Sequence, residues 1–496
     1  MNRRRFLKYA GATAAVVGAS ALGLDYLARP SARTEVNQTT TTTLSASPVI
    51  SNFQWQPTRV VNEKVYDATI CLNIQSGTAL TQLKATLDSY APTIPARAYP
   101  GEPQRILQFT PSPITAGLYS AQVANLLGGK EYKLNVQATN LGGMQNADFE
   151  TPYVREFENI SGNDNVLVGT YYFPWFESPC TPGVFCHWGE LGATSANPTT
   201  PNGTPLLGLY DSGDPAVISK HIDWVTGHGI DFLILDWWGS NGSDHLWIDS
   251  VNRDHILKHP MISQVAVSVM YESTLLVNDA SVPIDFDNSS ILAYFLNDMS
   301  YLAKNYLSHS NFLRVHNKPV IFLYAAQAYA GDISSAIAKA RSVIESESGL
   351  QPYIVGLHDS LQNPEQNLVA PYDAACNWVN MVWHQSNIEA VNEIVTESHD
   401  TAWWNYAHLQ GKEFIPSAIA GFRKVANLGG VNYPVLQKSP QRFAKQIQIA
   451  FMFLDSANKI MVIPTFNDWS ENAQIEPSVE DGFTYLQTLK NSLAGQ

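Results

Sequence analysis

The sequence predicts a multidomain chain in which a small β-sandwich precedes an α/β domain, a (β/α)8 TIM barrel. Its 496 residues are too many for one compact core, so at least two domains are expected. Residues 48–158 show short alternating strands without helical periodicity, which is the pattern of a sandwich. From residue 165 to residue 496, apolar strands alternate with helix-like segments, as they do in a parallel barrel.

The N-terminus resembles an export signal. Residues 3–8, Arg-Arg-Arg-Phe-Leu-Lys, precede an apolar stretch rich in Ala and Gly, an order typical of twin-arginine signals. A cytoplasmic amphipathic helix is disfavoured because the apolar stretch has almost no polar face. We assign residues 1–33 to an export signal or anchor and residues 34–47 to a Thr-rich linker. A secreted or extracytoplasmic protein is therefore expected, with membrane contact only through an uncleaved N-terminal segment.

Charge and composition narrow the class of partner. The formal net charge of −14 argues against a nucleic-acid partner, because phosphate binding needs clustered Lys and Arg. Aromatic residues make up 11% of the chain, and flat rings are the surfaces on which sugar faces stack. Larger hydrophobic cores would explain the same aromatic content. Composition alone therefore does not decide between a sugar-binding surface and a larger core.

The four cysteines predict one local disulfide and no metal centre. Cys180 and Cys186 are close together in a loop-like segment, so a disulfide is reasonable in an oxidising compartment. Cys71 and Cys376 fall in different predicted domains and are expected to be buried free thiols. A zinc site is disfavoured because no CxxC-type spacing exists. No cofactor and no metal are expected.

The all-β module has the strand spacing of an immunoglobulin-like or fibronectin-like sandwich. Strands are predicted at residues 66–74, 117–123 and 131–138, and Gly, Pro and Asn clusters separate them. Few aromatic side chains in this part of the chain are expected to be exposed. A spacer or supporting role is therefore favoured over sugar binding.

The barrel strands end in an unusual set of aromatic and acidic side chains. Functional residues of such barrels gather at the C-terminal ends of the strands. Core packing would explain each aromatic residue taken alone. Four strand ends that all carry aromatic or acidic side chains instead favour a sugar-binding site. The predicted strands are 166–172, 230–238, 265–271, 319–324, 353–357, 374–378, 414–417 and 460–466. The residues predicted to bind substrate are Tyr171, Tyr172, Trp175, His187, Trp188, Asp236, Trp237, Trp238, Tyr271, Glu272, Asn467, Trp469 and Glu476.

Asp468 and Glu471 are the predicted catalytic pair. Glycoside cleavage needs two carboxyl groups, one that protonates the leaving oxygen and one that acts as a base or nucleophile. These two residues are three apart on the loop after the last strand, so both can point into the barrel mouth. A hard cation held by the acids is the main functional competitor. Two ordinary surface acids are disfavoured by the surrounding Trp, Phe-Asn and Ile-Glu-Pro residues.

Residues 466–477, Phe-Asn-Asp-Trp-Ser-Glu-Asn-Ala-Gln-Ile-Glu-Pro, resemble the signature Phe-Asn-Glu-Trp-His-Glu-Gly-Thr-Gln-Ile-Glu-Pro of glycoside hydrolase family 99. That family contains the endo-α-mannosidases and endo-α-mannanases. Weaker likenesses occur in order along the chain, including Tyr-Tyr-Phe-Pro-Trp at 171–175, His-Trp at 187–188 and Trp-Trp-Gly at 237–239. The resemblance spans residues 166–477. It fits membership either in family 99 or in a closely related sister family.

The resemblance implies a retaining barrel enzyme that cleaves inside α-mannosides without a metal. Glu471 would be the general acid and later the base, with a raised pKa. Asp468 would stay ionised and deprotonate the sugar 2-hydroxyl, whose oxygen then attacks the anomeric carbon. The family has Glu at position 468, and Asp is shorter by one methylene. Two alternatives stay open: a non-catalytic carbohydrate-binding protein, and a metal-assisted hydrolase that uses Glu272, Asp468 and Glu471.

Overall fold

The computed structural model describes most of the chain as two compact units, divided between Glu156 and Phe157. The predicted signal, residues 34–45 of the linker, and Cys180 and Cys186 lie outside the described residues. The described residues are 46–62, 65–90, 102–160, 166–177, 187–194, 197, 199–241, 243–277, 282–358, 363–379, 388–424 and 435–495.

The first unit consists of two antiparallel four-stranded sheets, in the orders β1-β2-β6-β5 and β4-β3-β7-β8. Every second residue of β2 and β7 is buried, and the buried faces of both sheets belong to one hydrophobic core. Its assignment as an immunoglobulin-like or fibronectin-like fold stays a prediction. The strands are β1 (Val49–Asn62), β2 (Val65–Gln75), β3 (Gln82–Tyr90), β4 (Arg105–Leu107), β5 (Thr110–Pro111), β6 (Leu118–Leu127), β7 (Glu131–Asn140) and β8 (Gly143–Glu150).

The second unit is a nearly closed barrel of eight parallel strands, which confirms the predicted barrel. The strand order is β18-β17-β16-β14-β11-β10-β9-β19, and a parallel bridge between Ser417 and Val462 joins the two ends. The barrel strands are β9 (Leu167–Tyr172), β10 (Phe232–Trp237), β11 (Ala266–Tyr271), β14 (Lys318–Leu323), β16 (Tyr353–His358), β17 (Ala374–Asn377), β18 (Glu413–Ile415) and β19 (Ile460–Ile463). Three short strands lie beside them: β12 (Ile284–Asp285), β13 (Arg314–Val315) and β15 (Tyr329–Ala330).

Helices follow the barrel strands and cover their outer faces. Strands β10 and β11 are buried along their whole length, because the interior covers one face and helices cover the other. The helices are α1 (His187–Glu190), α2 (Pro215–Gly227), α3 (Ser243–Ser250), α4 (Ser289–Asn305), α5 (Ile333–Ser348), α6 (Gln366–Val369), α7 (Ile388–Leu409), α8 (Pro440–Met452) and α9 (Thr484–Ala494). In the described part of the chain, no helix combines the length and the apolar character needed to cross a membrane.

The two described cysteines are free thiols, as predicted. Cys376 is fully buried at the end of β17, and Cys71 is half-buried on β2.

Candidate active site

The two predicted catalytic acids lie on the segment that follows β19, residues 465–477, here called the acid loop. The loop leaves the barrel and returns to it: the Ile475 N–H donates to the Thr465 carbonyl at 2.9 Å. At its start, the Phe466 N–H donates to the Tyr171 carbonyl at 2.8 Å, which continues the pairing of β19 with β9. Both ends of the loop are therefore fixed at the C-terminal mouth of the barrel.

Asp468 closes the turn that carries both acids. Its Oδ1 accepts hydrogen bonds from the Ser470 N–H at 2.8 Å, the Ser470 hydroxyl at 2.5 Å and the Glu471 N–H at 3.2 Å. Within the described residues, all hydrogen bonds to this carboxylate go to Oδ1. Oδ2 is therefore the oxygen that can serve as a base, and the turn fixes its place relative to Glu471.

Glu471 is held from the segment that follows β18. The Arg423 N–H donates to the Glu471 carbonyl at 2.6 Å, and Lys424 Nζ lies 3.3 Å from Glu471 Oε1. This ion pair ties Glu471 to the segment after β18, and the predicted raised pKa of Glu471 stays a prediction. Sequence reasoning missed Lys424, whose signal was its position shortly after a barrel strand.

A buried hydrogen-bond network around Glu476 and Trp469 holds the acid loop in place. Oε2 of Glu476 accepts from the Trp469 indole at 2.8 Å and from the Tyr210 hydroxyl at 2.9 Å, while Oε1 lies 3.2 Å from His221 Nε2. A carboxylate only accepts, so His221 Nε2 carries a proton, and in the neutral ring Nδ1 accepts from the Tyr172 hydroxyl at 2.9 Å. Burial, and then the charge of Glu476, raises the pKa of Tyr172 and Tyr210 above the ordinary tyrosine range.

Glu476→Gln should destabilise the protein and impair the site together. The amide nitrogen cannot accept, so at least one buried donor among Trp469, Tyr210 and His221 loses its partner, at a cost of about 1–3 kcal/mol. Urea unfolding measures the free energy of unfolding, and kcat/KM reports the displacement of Trp469. Glu345→Gln, on the exposed side of α5, is the matched control and should change neither. Unaltered unfolding of Glu476→Gln would contradict the role assigned to this network.

A cluster of rings, here called the aromatic wall, lines one side of the mouth: Phe173, Trp175, His187 and Trp238. Trp175 stacks on Phe173 at 4.2 Å and on His187 at 4.3 Å, and it meets Trp238 edge to face at 5.9 Å between ring centroids. The structure thus brings together three predicted substrate-binding residues from separate segments of the chain. Tyr171 lies deeper, against Trp378 at 4.5 Å.

Asp236 brings a third carboxyl group to the mouth. It is fully buried at the end of β10, and its Oδ2 accepts from the Trp238 indole at 2.7 Å. Burial raises the pKa of Asp236 well above its ordinary value, and the negative charges of Glu272 and Asp468 raise it further. Carboxyl groups from the ends of β10, β11 and β19 therefore act on one another's charge at the mouth.

Other predicted substrate-binding residues are turned away from the mouth. The Trp237 indole donates to Asp249 at 2.9 Å, and the Tyr271 hydroxyl donates to Asp298 of α4 at 2.7 Å. Because side chains alternate along a strand, Trp237 and Tyr271 face the helices, whereas Asp236 faces the barrel interior. The sequence-based prediction placed every aromatic ring at a strand end in the pocket, because it did not consider that alternate side chains of a strand face opposite sides.

The remaining predicted residues hold the loops in place. The Asn467 amide exchanges two hydrogen bonds with the backbone of Phe173, at 2.8 and 2.9 Å, and so ties the acid loop to the segment after β9. The Trp188 indole donates to the Tyr210 carbonyl at 2.8 Å. Seven of the predicted residues are buried within the fold, and their substrate contact stays a prediction: Tyr172, Trp188, Trp237, Tyr271, Asn467, Trp469 and Glu476.

Sequence reasoning also missed Asn202, which joins the acid loop to Arg423. Its Nδ2 donates to the Trp469 carbonyl at 2.9 Å, and its Oδ1 accepts from Arg423 Nε at 2.8 Å. Asn202 lies more than two hundred positions from either partner, and no local signal marks it. In the described ranges, no three His, Cys, Asp or Glu side chains are grouped so that they could hold a metal ion.

Comparison with known proteins gives matches to a family model, to a sequence relative and to solved structures. The sequence model of the family described as glycosyltransferase WbsX matches residues 295–489, which include the acid loop. The glycoprotein endo-α-1,2-mannosidase of Rattus norvegicus is 28% identical over 96 residues, a match that covers 16% of this chain and 21% of the rat enzyme. A solved glycoside hydrolase-like protein is 19% identical with a TM-score of 0.52, over 69% of this chain and 97% of that one.

A family 99 endo-α-mannosidase from Bacteroides thetaiotaomicron is 20% identical with a TM-score of 0.49, over 66% of this chain and 96% of that one. The likeness to the solved glycoside hydrolase-like protein supports the barrel fold described above. The predicted resemblance to glycoside hydrolase family 99 or a closely related sister family is confirmed. The match spans about a fifth of the rat enzyme.

Proposed function

We propose that the protein is an exported, retaining glycoside hydrolase that cleaves internal α-linked sugars, with α-mannosides as the substrate class. The observation that carries the proposal is the turn from Asp468 to Glu471, which holds two carboxyl groups three residues apart at the barrel mouth. Trp175 is stacked on both Phe173 and His187, so the half-buried Trp238 is the ring of the aromatic wall that a sugar could reach. The rat relative named as an endo-α-1,2-mannosidase supports the choice of sugar.

The proposed chemistry assigns one step to each acid. Asp468 Oδ2 takes the proton of the sugar 2-hydroxyl, and the 2-oxygen bonds to the anomeric carbon. The bond from that carbon to the leaving oxygen breaks, and Glu471 gives its proton to this oxygen. The first step leaves a three-membered ring of the 2-oxygen, C2 and the anomeric carbon. Glu471 then removes a proton from a water molecule, whose oxygen attacks the anomeric carbon and opens this ring. The proton held by Asp468 returns to the 2-oxygen. Two inversions at the anomeric carbon give overall retention.

We expect the purified protein to hydrolyse an α-mannan or α-mannosyl oligosaccharide and to release a product of retained configuration. Screening a panel of α-mannans and α-glucans, with nuclear magnetic resonance of the first product, measures sugar, linkage and configuration. The same rate after treatment with EDTA is expected, since both steps use carboxyl groups only. Activity that disappears with EDTA and returns with a divalent cation would support the metal-assisted alternative.

Transfer to a sugar acceptor is a second candidate reaction, and the WbsX family description favours it. Hydrolysis and transfer share the first step and differ in whether water or a sugar hydroxyl opens the intermediate. Adding mannosyl acceptors to the same assay separates them, since transfer gives elongated products. Binding without turnover across the panel would instead support a non-catalytic carbohydrate-binding protein.

A further inference from the structure

Asp236 combines complete burial with a one-sided hydrogen-bonding pattern. Its Oδ2 accepts the Trp238 indole N–H at 2.7 Å, and its Oδ1 has no hydrogen-bond partner among the described residues. The nearby Trp237 backbone N–H lowers the pKa of the carboxyl group but does not outweigh its burial. A buried, ionised carboxylate normally has several donors around both oxygens. In a neutral carboxyl group, the proton would sit on Oδ1, because Oδ2 must keep a lone pair toward the indole. The geometry fits a carboxylic acid better than a carboxylate.

The charged groups around Asp236 act in the same direction. Glu272, at the end of β11, and Asp468, on the acid loop, are the charges that act on it, and both are acidic. A further negative charge in a buried cluster of this kind is costly, and one member is expected to hold a proton. Asp236 is the most buried of the three, so it is the member for which ionisation costs most.

The contact of Asp236 orients one end of the aromatic wall. Trp238 follows two residues later and meets Trp175 edge to face, and Trp175 in turn stacks on His187. Without an acceptor at Oδ2, the Trp238 indole N–H would lose its partner, and the ring would be free to turn. The angle of the wall toward a bound sugar thus depends on Asp236.

We propose that Asp236 is a positioning residue that works as a neutral carboxylic acid. Oδ2 fixes the Trp238 ring in the aromatic wall, and the proton on Oδ1 limits the negative charge beside Asp468. The base then faces a neutral neighbour, and its charge remains available for the sugar 2-hydroxyl. This inference rests on the proposed function for its catalytic consequence, but the protonation state and the Trp238 contact can be measured without any substrate.

Infrared spectroscopy tests the protonation state directly. The difference spectrum of wild type minus Asp236→Asn at neutral pH should show the carbonyl stretch of a neutral carboxylic acid, shifted in D2O. The two stretching bands of a carboxylate in that difference spectrum would overturn the proposal. Because no substrate is present, this result stands apart from the success or failure of the proposed glycosidase activity.

The pH dependence of unfolding gives a second substrate-free measurement. The unfolded chain loses the Asp236 proton near pH ~3.9, while the folded protein keeps it at higher pH. The folded state then binds one more proton, so wild type should lose stability relative to Asp236→Asn as pH rises from about 4. In that window, the ratio of the two unfolding equilibrium constants should change by about tenfold per pH unit. A ratio that is independent of pH would overturn the proposal.

A pair of variants then tests the positioning role. Asn at position 236 is neutral at every pH and keeps an oxygen acceptor for the indole, whereas Leu has the same branching at Cγ and no acceptor. Asp236→Leu should have a kcat/KM at least about tenfold below that of Asp236→Asn, because only Asn keeps an acceptor for the indole. In a Trp238→Phe background, the Asn and Leu variants should have equal kcat/KM. An Asp236→Asn variant as impaired as Asp236→Leu would overturn the role of a neutral acid.

Discussion

Replacing Glu471 by Gln should reduce turnover of an α-mannoside polymer by about 10³-fold, because the leaving oxygen then departs without a proton. The amide keeps the length and shape of the side chain, and the backbone carbonyl of Glu471 still accepts from the Arg423 N–H. Folding and sugar binding should therefore persist. The measurement is kcat/KM on the polymer beside kcat/KM on an α-mannosyl fluoride, whose leaving group needs no acid.

The fluoride separates loss of the proton from loss of the site. Glu471→Gln should keep kcat/KM on the fluoride within about tenfold of wild type, because kcat/KM reports the first step and not the later attack of water. The defect in kcat/KM should therefore depend on the leaving group. The exposed Glu345→Gln variant serves as the control and should match wild type on both substrates. Wild-type rates of Glu471→Gln on the polymer would remove this residue from the proton-donor role.

Asp468→Asn should be nearly as damaging, with a loss of about 10²–10³-fold on every substrate, including the fluoride. The Asn side chain keeps an oxygen at the Oδ1 position, so the hydrogen bonds from Ser470 and Glu471 that close the turn can persist. The defect should then report the lost base at Oδ2 rather than a collapsed loop. Unlike the defect of Glu471→Gln, it should not depend on the leaving group.

Two comparisons define the role of Asp468. Ser470→Ala removes one hydrogen bond to Oδ1 and leaves both acids in place, so it should cost only about tenfold. Asp468→Glu restores the length found in the family 99 signature and should keep measurable activity on mannosides. A 2-deoxy substrate cleaved at the normal rate would exclude attack by the 2-oxygen and contradict the base role.

The parts of the site that follow from local sequence were predictable. Asp468 and Glu471 are three residues apart after an apolar strand, and the turn between them brings the Glu471 N–H within 3.2 Å of Asp468 Oδ1. The ends of β9, β10 and β11 were placed within about two residues because buried parallel strands are continuous apolar runs. Periodicity and spacing are local, so one sequence was enough to find them.

The direction of the side chains at the strand ends could not be predicted from the sequence. The pair Trp237-Trp238 reads as one aromatic motif, yet Trp237 faces Asp249 while Trp238 bonds Asp236 at the mouth. Period-two alternation decides between them only once the register of β10 in the barrel is known. Lys424 near Glu471 and Asn202 beneath Trp469 depend on contacts between distant segments, which no local pattern encodes.

The sequence by itself therefore determined the barrel, the acid pair and the resemblance to the α-mannosidase family, because these are carried by periodicity and by one short signature. Only the tertiary structure decided which of the predicted side chains reach the mouth and which hold it together. It turned Glu476 toward His221, Tyr210 and Trp469, and it buried Asp236 beside two other acids. The physical reason is that burial and neighbouring charge set the chemistry of a carboxyl group, and both are created by chain segments that meet only on folding.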